Sequence, residues 1–154
     1  MTDLRKPFFK ILCDLAEDDS DLMFLTGDLG YSFFEEFRDK FPGQFINCGI
    51  MEQSMVGIAA GLAFGDKHPY CYSTAPFITY RVLEQIRDDI CYNQMNVKLI
   101  GVGMSGFLGF SHNIVDDEDL HLFEKLPNIK AFAPRDEKEL RKILKLKKSA
   151  YVRI

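Results

Sequence analysis

The sequence predicts a three-layer α/β fold, an open and mostly parallel sheet with helices on both faces. Two observations carry this reading. Short apolar, β-rich runs alternate with segments of helical periodicity along the whole chain, and the connections between them are short, an order that suits parallel strands joined by crossover helices. With 154 residues, 47% of them hydrophobic, the chain has the size and apolar content of one domain spanning 1–154.

The elements follow in order. Phe8, Ile11, Leu12 and Leu15 stand at helical spacing over residues 7–17 and precede a strand at Leu22 to Thr26. Gly27-Asp28-Leu29-Gly30 is a turn signal, and Phe33, Phe34 and Phe37 then indicate a short helix closed by Phe41-Pro42-Gly43. A second strand, Gln44 to Cys48, runs through Gly49 into a helix from Glu52 to Phe64. Gly57, Gly61 and Gly65 recur every fourth residue along that helix and let another backbone approach, either the sheet of the same domain or a second subunit. The alternation continues through a strand at Tyr70 to Ser73, a helix from about Phe77 to Tyr92, a strand at Val97 to Val102 and a Gly-rich loop from Gly103 to Gly109. A polar helix around Asp117 to Leu126, a strand at Lys130 to Ala133, a helix at Asp136 to Lys147 and a strand at Tyr151 to Ile154 complete the pattern. In such sheets ligands meet the loops at the carboxyl ends of strands, which here are residues 27–32, 48–53, 73–77 and 103–113.

Composition narrows the function. A net charge of -4 with interspersed signs offers no basic field for a phosphate backbone, so nucleic acid is not an expected partner. Cys13, Cys48, Cys71 and Cys91 form no CxxC pair and sit in apolar or β-rich contexts, as reduced core thiols do. No secretion-type leader and no apolar run of membrane-spanning length stand in the sequence, so the expectation is a cytoplasmic protein with no membrane partner.

The informative stretch is Asn47-Cys48-Gly49-Ile50-Met51-Glu52-Gln53-Ser54-Met55-Val56-Gly57-Ile58-Ala59-Ala60-Gly61-Leu62-Ala63. A carboxylate stands just after a strand, in the first turn of a small-residue helix. Glu52 there either complements the helix dipole or does chemistry, and apolar Gly49, Ile50 and Met51 would partly desolvate it and strengthen any bond it makes.

This stretch resembles the glutamate motif of the transketolase family's pyrimidine-binding domain, also found in deoxyxylulose-phosphate synthases and in the β subunits of 2-oxoacid dehydrogenases. Tyr72-Ser73-Thr74-Ala75-Pro76-Phe77-Ile78-Thr79 with Glu84 to Ile90 is similar to the family's next strand and helix. Gly109-Phe110-Ser111-His112, Asp117-Glu118-Asp119-Leu120 and Leu126-Pro127-Asn128 are similar to its substrate-loop region, and Ala133-Pro134-Arg135-Asp136 to its penultimate strand and turn. The matches run in order over nearly the whole chain, which looks like the C-terminal-half subunit of split transketolases.

The resemblance implies the thiamine diphosphate-binding fold of pyrimidine type, and thiamine diphosphate as cofactor. In the family the equivalent glutamate hydrogen-bonds the aminopyrimidine ring nitrogen. A shared carboxyl proton favours the imino tautomer of the 4'-amino group, which then removes the proton from the thiazolium carbon. Glu52 is thereby implied as both catalytic and cofactor-binding. Phe77 falls where the family stacks an aromatic on the pyrimidine, with core packing as the alternative. Tyr80, one turn later, would contact the same ring or belong to the core or an interface. His112 lies in the loop that the resemblance gives to substrates, where it would bond a hydroxyl or shuttle a proton, or else bond a local carbonyl or Asp116. Asp28, at the end of the first strand, would help hold the cofactor or a facing subunit, or cap the next helix.

The chain also departs from the family. Gly27-Asp28-Leu29 lacks the second glycine of the metal-binding Gly-Asp-Gly and lies in the wrong segment, so no metal site is expected here. Magnesium or calcium would be held by a diphosphate-binding domain on a partner subunit, and neither that domain nor the family's C-terminal domain is expected within 1–154. Met51 replaces a usual basic residue of transketolases and Gln53 their histidine, whereas Glu-Gln is familiar from deoxyxylulose-phosphate synthases. The expected activity is transfer of a two-carbon ketol unit between sugars by a transketolase-like enzyme, active with its partner, this chain self-dimerising within a hetero-oligomer. The alternatives are a subunit acting on a 2-oxoacid, a deoxyxylulose-phosphate-synthase-like enzyme, and a non-catalytic assembly module.

Overall fold

A computed structural model describes residues 3–103 and 113–154. Six strands, β1 (Leu22–Thr26), β2 (Phe45–Asn47), β3 (His68–Thr74), β4 (Lys98–Val102), β5 (Ile129–Phe132) and β6 (Ser149–Arg153), form one sheet in the order β2-β1-β3-β4-β6-β5. Every pairing is parallel, as the strand-helix alternation predicted.

Strand alternation sends side chains to two cores. Phe24, Tyr70, Tyr72, Ile100 and Val152 meet α1 (Arg5–Asp18), α2 (Glu35–Lys40) and α7 (Glu137–Leu144) on one face. Leu25, Cys71, Leu99 and Tyr151 meet α3 (Glu52–Phe64), α4 (Ala75–Ile78) and α6 (Glu118–Phe123) on the other. The first core absorbs several of the chain's phenylalanines. Phe9 sits edge-on to Phe8 and Phe24, with ring centroids 5.0 and 5.4 Å apart, a favourable arrangement of aromatic quadrupoles.

Two expectations need correcting. The helix predicted from Phe77 to Tyr92 is not continuous. It begins as α4, breaks at Thr79 (φ -119°, ψ -82°), passes through a 3-10 turn at Tyr80–Val82 and α5 (Leu83–Gln85), and ends as a π-helical stretch over Ile86–Tyr92. The Thr79 hydroxyl donates to the Ala75 carbonyl at 2.6 Å, a side-chain bond that competes with the backbone ladder. The second concerns Gly57 and Gly61, for which packing on the sheet and contact with a second subunit stood as alternatives, and the first of these falls. A Cβ at either position would meet nothing within 4 Å, so these glycines face open space and do not serve close packing of α3 on its own sheet.

Parallel register sets the site. Ser73 pairs with Gly101, and Gly101 with Arg153, in one row across the carboxyl end of the sheet. This row lies under α3 and α6.

Candidate functional site

The site is built at the head of α3, where the chain leaves β2 through Gly49 in a left-handed conformation (φ 73°) that glycine adopts at little cost. Glu52, the first residue of α3, is 2% exposed. Its burial does not come from Ile50 and Met51, which are 79% and 47% exposed; it comes from β1, β3 and the segment after β3. Ser73 Oγ, at the end of β3, donates to Glu52 Oε1 at 3.0 Å, and Arg81 Nη1 donates to Oε2 at 2.8 Å. Gly27 directly follows β1, where an added Cβ would lie 3.4 Å from Oε1, so any longer side chain would push on the carboxylate. Both carboxyl oxygens accept a side-chain hydrogen bond, so neither is left unpartnered.

Phe77 enters the same arrangement through Arg81. The guanidinium Cζ lies 3.7 Å from the Phe77 ring centroid, at stacking distance, while Nη1 holds Glu52. A planar, nitrogen-bearing group therefore occupies the space between an aromatic face and a buried carboxylate. Phe77 in α4 and Arg81 in the 3-10 turn stand on either side of the break at Thr79, and the turn brings the two side chains together.

The other predicted residues are placed differently. Tyr80 is 42% exposed, and its hydroxyl bonds Glu118 at the start of α6; partial burial and the nearby carboxylate push its pKa up. Asp28 (φ 61°) accepts from the Tyr31 hydroxyl at 2.5 Å and from Asn47 Nδ2 at 3.0 Å. Asn47 Oδ1 in turn accepts from the backbone N–H groups of Asp28 and Gly49. These bonds lower the Asp28 pKa and tie the β1 loop to the approach to Glu52. Asp28 does not cap α2, whose N-cap is Phe34 with no side-chain bond. His112 lies outside the described residues.

Ser73, Arg81 and Asn47 were not singled out from sequence. Ser73 stood within a motif at a strand's carboxyl end, and Arg81 at helical spacing from an aromatic; those are the signals that point to them.

A second charged cluster lies on the same face at β6. Asp119, fully buried in α6, accepts from Tyr151 Oη at 2.5 Å and Arg153 Nη1 at 2.7 Å, and Arg153 Nη2 also bonds Asp117. Tyr151 stacks on Phe123 with centroids 4.5 Å apart and covers Gly101; burial, then Asp119, raises its pKa. Arg153 Nε has no acceptor among the described residues. The cluster fixes the segment where the loop after β4 returns to α6.

Comparison with known proteins places this geometry. Residues 1–150 match the family described as "Transketolase, pyrimidine binding domain". The chain is 38% identical over 146 residues to one of the subunits of the apulose-4-phosphate transketolase of Phocaeicola vulgatus, covering 92% of this chain and 46% of that protein. It is 33% identical over 159 residues to the putative transketolase C-terminal section of Methanocaldococcus jannaschii, covering 98% and 50%. A solved structure of a split gene transketolase, described as an inactive beta4 tetramer, superposes with a TM-score of 0.85 at 35% identity over 97% of this chain and 50% of that one. The chain thus spans about half the length of the curated relatives it matches. The chain belongs to the transketolase pyrimidine-binding domain family.

Proposed function

We propose that this chain is the pyrimidine-binding part of a cytoplasmic, thiamine diphosphate-dependent transferase of transketolase type. In this reading it moves a two-carbon ketol unit between sugars and is completed by a diphosphate-binding domain on a separate polypeptide. The observation that carries the reading is Glu52: a carboxylate 2% exposed at a helix start, with Ser73 on one oxygen and a planar group, stacked on Phe77, on the other. A guanidinium and an aminopyrimidine are both flat and nitrogen-edged; the first donates to the carboxyl oxygen and the ring nitrogen of the second shares a proton with it, so a site that seats the first fits the second. The curated relatives named as transketolase subunits support the same class.

When bound, the cofactor supplies an electron sink for cleaving a carbon–carbon bond beside a carbonyl. The chain's residues do the rest. Phe77 provides the flat platform, Ser73 fixes Oε1, and Glu52 holds or releases a proton at Oε2. Tyr80 and Asp28 border the site, Tyr80 through α6 and Asp28 through the loops at the ends of β1 and β2. His112 belongs to the substrate side. In this reading the metal, magnesium or calcium, and the grip on the diphosphate belong to the partner.

Assembly follows from α3. This helix is apolar all round, and its outer side presents Ile58 and Phe64, 42% and 81% exposed, beside the open Gly57 and Gly61. Apolar residues on every side suit a helix covered on every side. We assign this face to a second copy of the chain within a hetero-oligomer.

Replacement of Glu52 by Gln, assayed with the true partner, should lower turnover about 10²- to 10⁴-fold, the range of a lost acid–base group. Full turnover by that variant would refute the assignment. A panel of ketoses and 2-oxoacids, followed by product analysis, separates ketol transfer from acyl transfer.

A further inference from the structure

The group that bridges Phe77 and Glu52 is supplied by the chain itself, and this has a consequence for how the site is filled. Arg81 Nη1 lies 2.8 Å from Oε2 while its Cζ lies 3.7 Å from the ring centroid. The guanidinium therefore sits between the aromatic face and the carboxylate. No second planar group can stack on that face and bond that oxygen while it remains. Arg81 is 39% exposed along its side chain, whereas Glu52 is 2% exposed. The arginine can swing into water at small cost, and the carboxylate cannot follow it.

We propose that Arg81 is an exchangeable placeholder for the aminopyrimidine. It keeps the buried Glu52 paired in the free chain, and it must leave before the cofactor's ring can be seated. This rests on the reading of the chain as a thiamine diphosphate subunit and adds to it a residue that sets the affinity and selectivity of the pyrimidine site. The ring nitrogen replaces the arginine's bond to Glu52 by sharing a proton with Oε2, so the exchange favours a flat ring with a basic nitrogen on the edge that meets Glu52; a ring without one would leave the buried carboxyl without a partner. Apparent affinity is lowered by the fraction of molecules in which the placeholder is out.

The test is calorimetric titration of thiamine diphosphate into the full chain mixed with its diphosphate-binding partner. Arg81→Met keeps the aliphatic stem and removes the cation. It should tighten binding by about 5- to 30-fold, the combined strength of a half-exposed ion pair and a cation–π contact. Arg81→Lys, which keeps the charge and loses the planar fork, should give a smaller gain. In a Glu52→Gln background the gain from Arg81→Met should shrink, because the pair is already broken. Unchanged or weaker binding by Arg81→Met, with the wild type still binding, would overturn the placeholder and leave the functional reading standing. Failure of every form to bind thiamine diphosphate would overturn both.

Discussion

Two buried carboxylates stand on one face of the sheet at its carboxyl end, two strands apart, and each is paired with an arginine. Asp119 is 0% exposed and its partner Arg153 is 5% exposed; Glu52 is 2% exposed, but its partner Arg81 is 39% exposed. The difference decides what each pair does. Arg153 is buried and held on both terminal guanidinium nitrogens, by Asp119 and Asp117, and Tyr151 takes the second oxygen of Asp119. Arg81 has water on one side. A pair with two buried partners holds structure, and a pair with one mobile partner can be exchanged for a ligand.

The largest effect that tests this contrast is on stability. Asp119→Ala should destabilise the fold by about 3–5 kcal/mol, because it leaves Arg153 buried with its main acceptor gone. Glu52→Gln should cost about 0–1 kcal/mol, since Arg81 can hydrate. Denaturant unfolding of the two variants checks the ranking, and equal losses would erase the distinction.

A smaller effect sharpens it. Gly101 lies under the Tyr151 ring, where an added Cβ would come 2.5 Å from the Tyr151 hydroxyl oxygen. Gly101→Ala should therefore cost about 1–3 kcal/mol through overpacking and displace Tyr151 from Asp119. Thermal unfolding reads the loss. A neutral result would mean that the ring yields freely and that the cluster is not rigid.

The order of elements and the parallel sheet were legible because strand and helix periodicities are local. Glu52 and Phe77 were legible because each sits in a contiguous motif. The break at Thr79 was not, since a hydroxyl bonding back to Ala75 leaves no trace in hydrophobic spacing. The Asp119 cluster was missed because Tyr151 and Arg153 meet Asp119 across 32 and 34 residues of sequence, joined only by the strand order that puts β6 beside β4. Asp28, from its position before a turn, read equally as a contact for the cofactor or a facing subunit and as a helix cap. The left-handed backbone at Asp28 turns it toward Tyr31 and Asn47 instead.

The most direct measurement is the structure of the full chain with the proposed diphosphate-binding partner and thiamine diphosphate. The aminopyrimidine should lie on Phe77 with a ring nitrogen about 2.7–3.2 Å from a Glu52 carboxyl oxygen, Ser73 still on Oε1 and Arg81 turned out to solvent. A cofactor ring bound elsewhere, with Arg81 still stacked on Phe77 and bonded to Glu52, would contradict the assignment of this site.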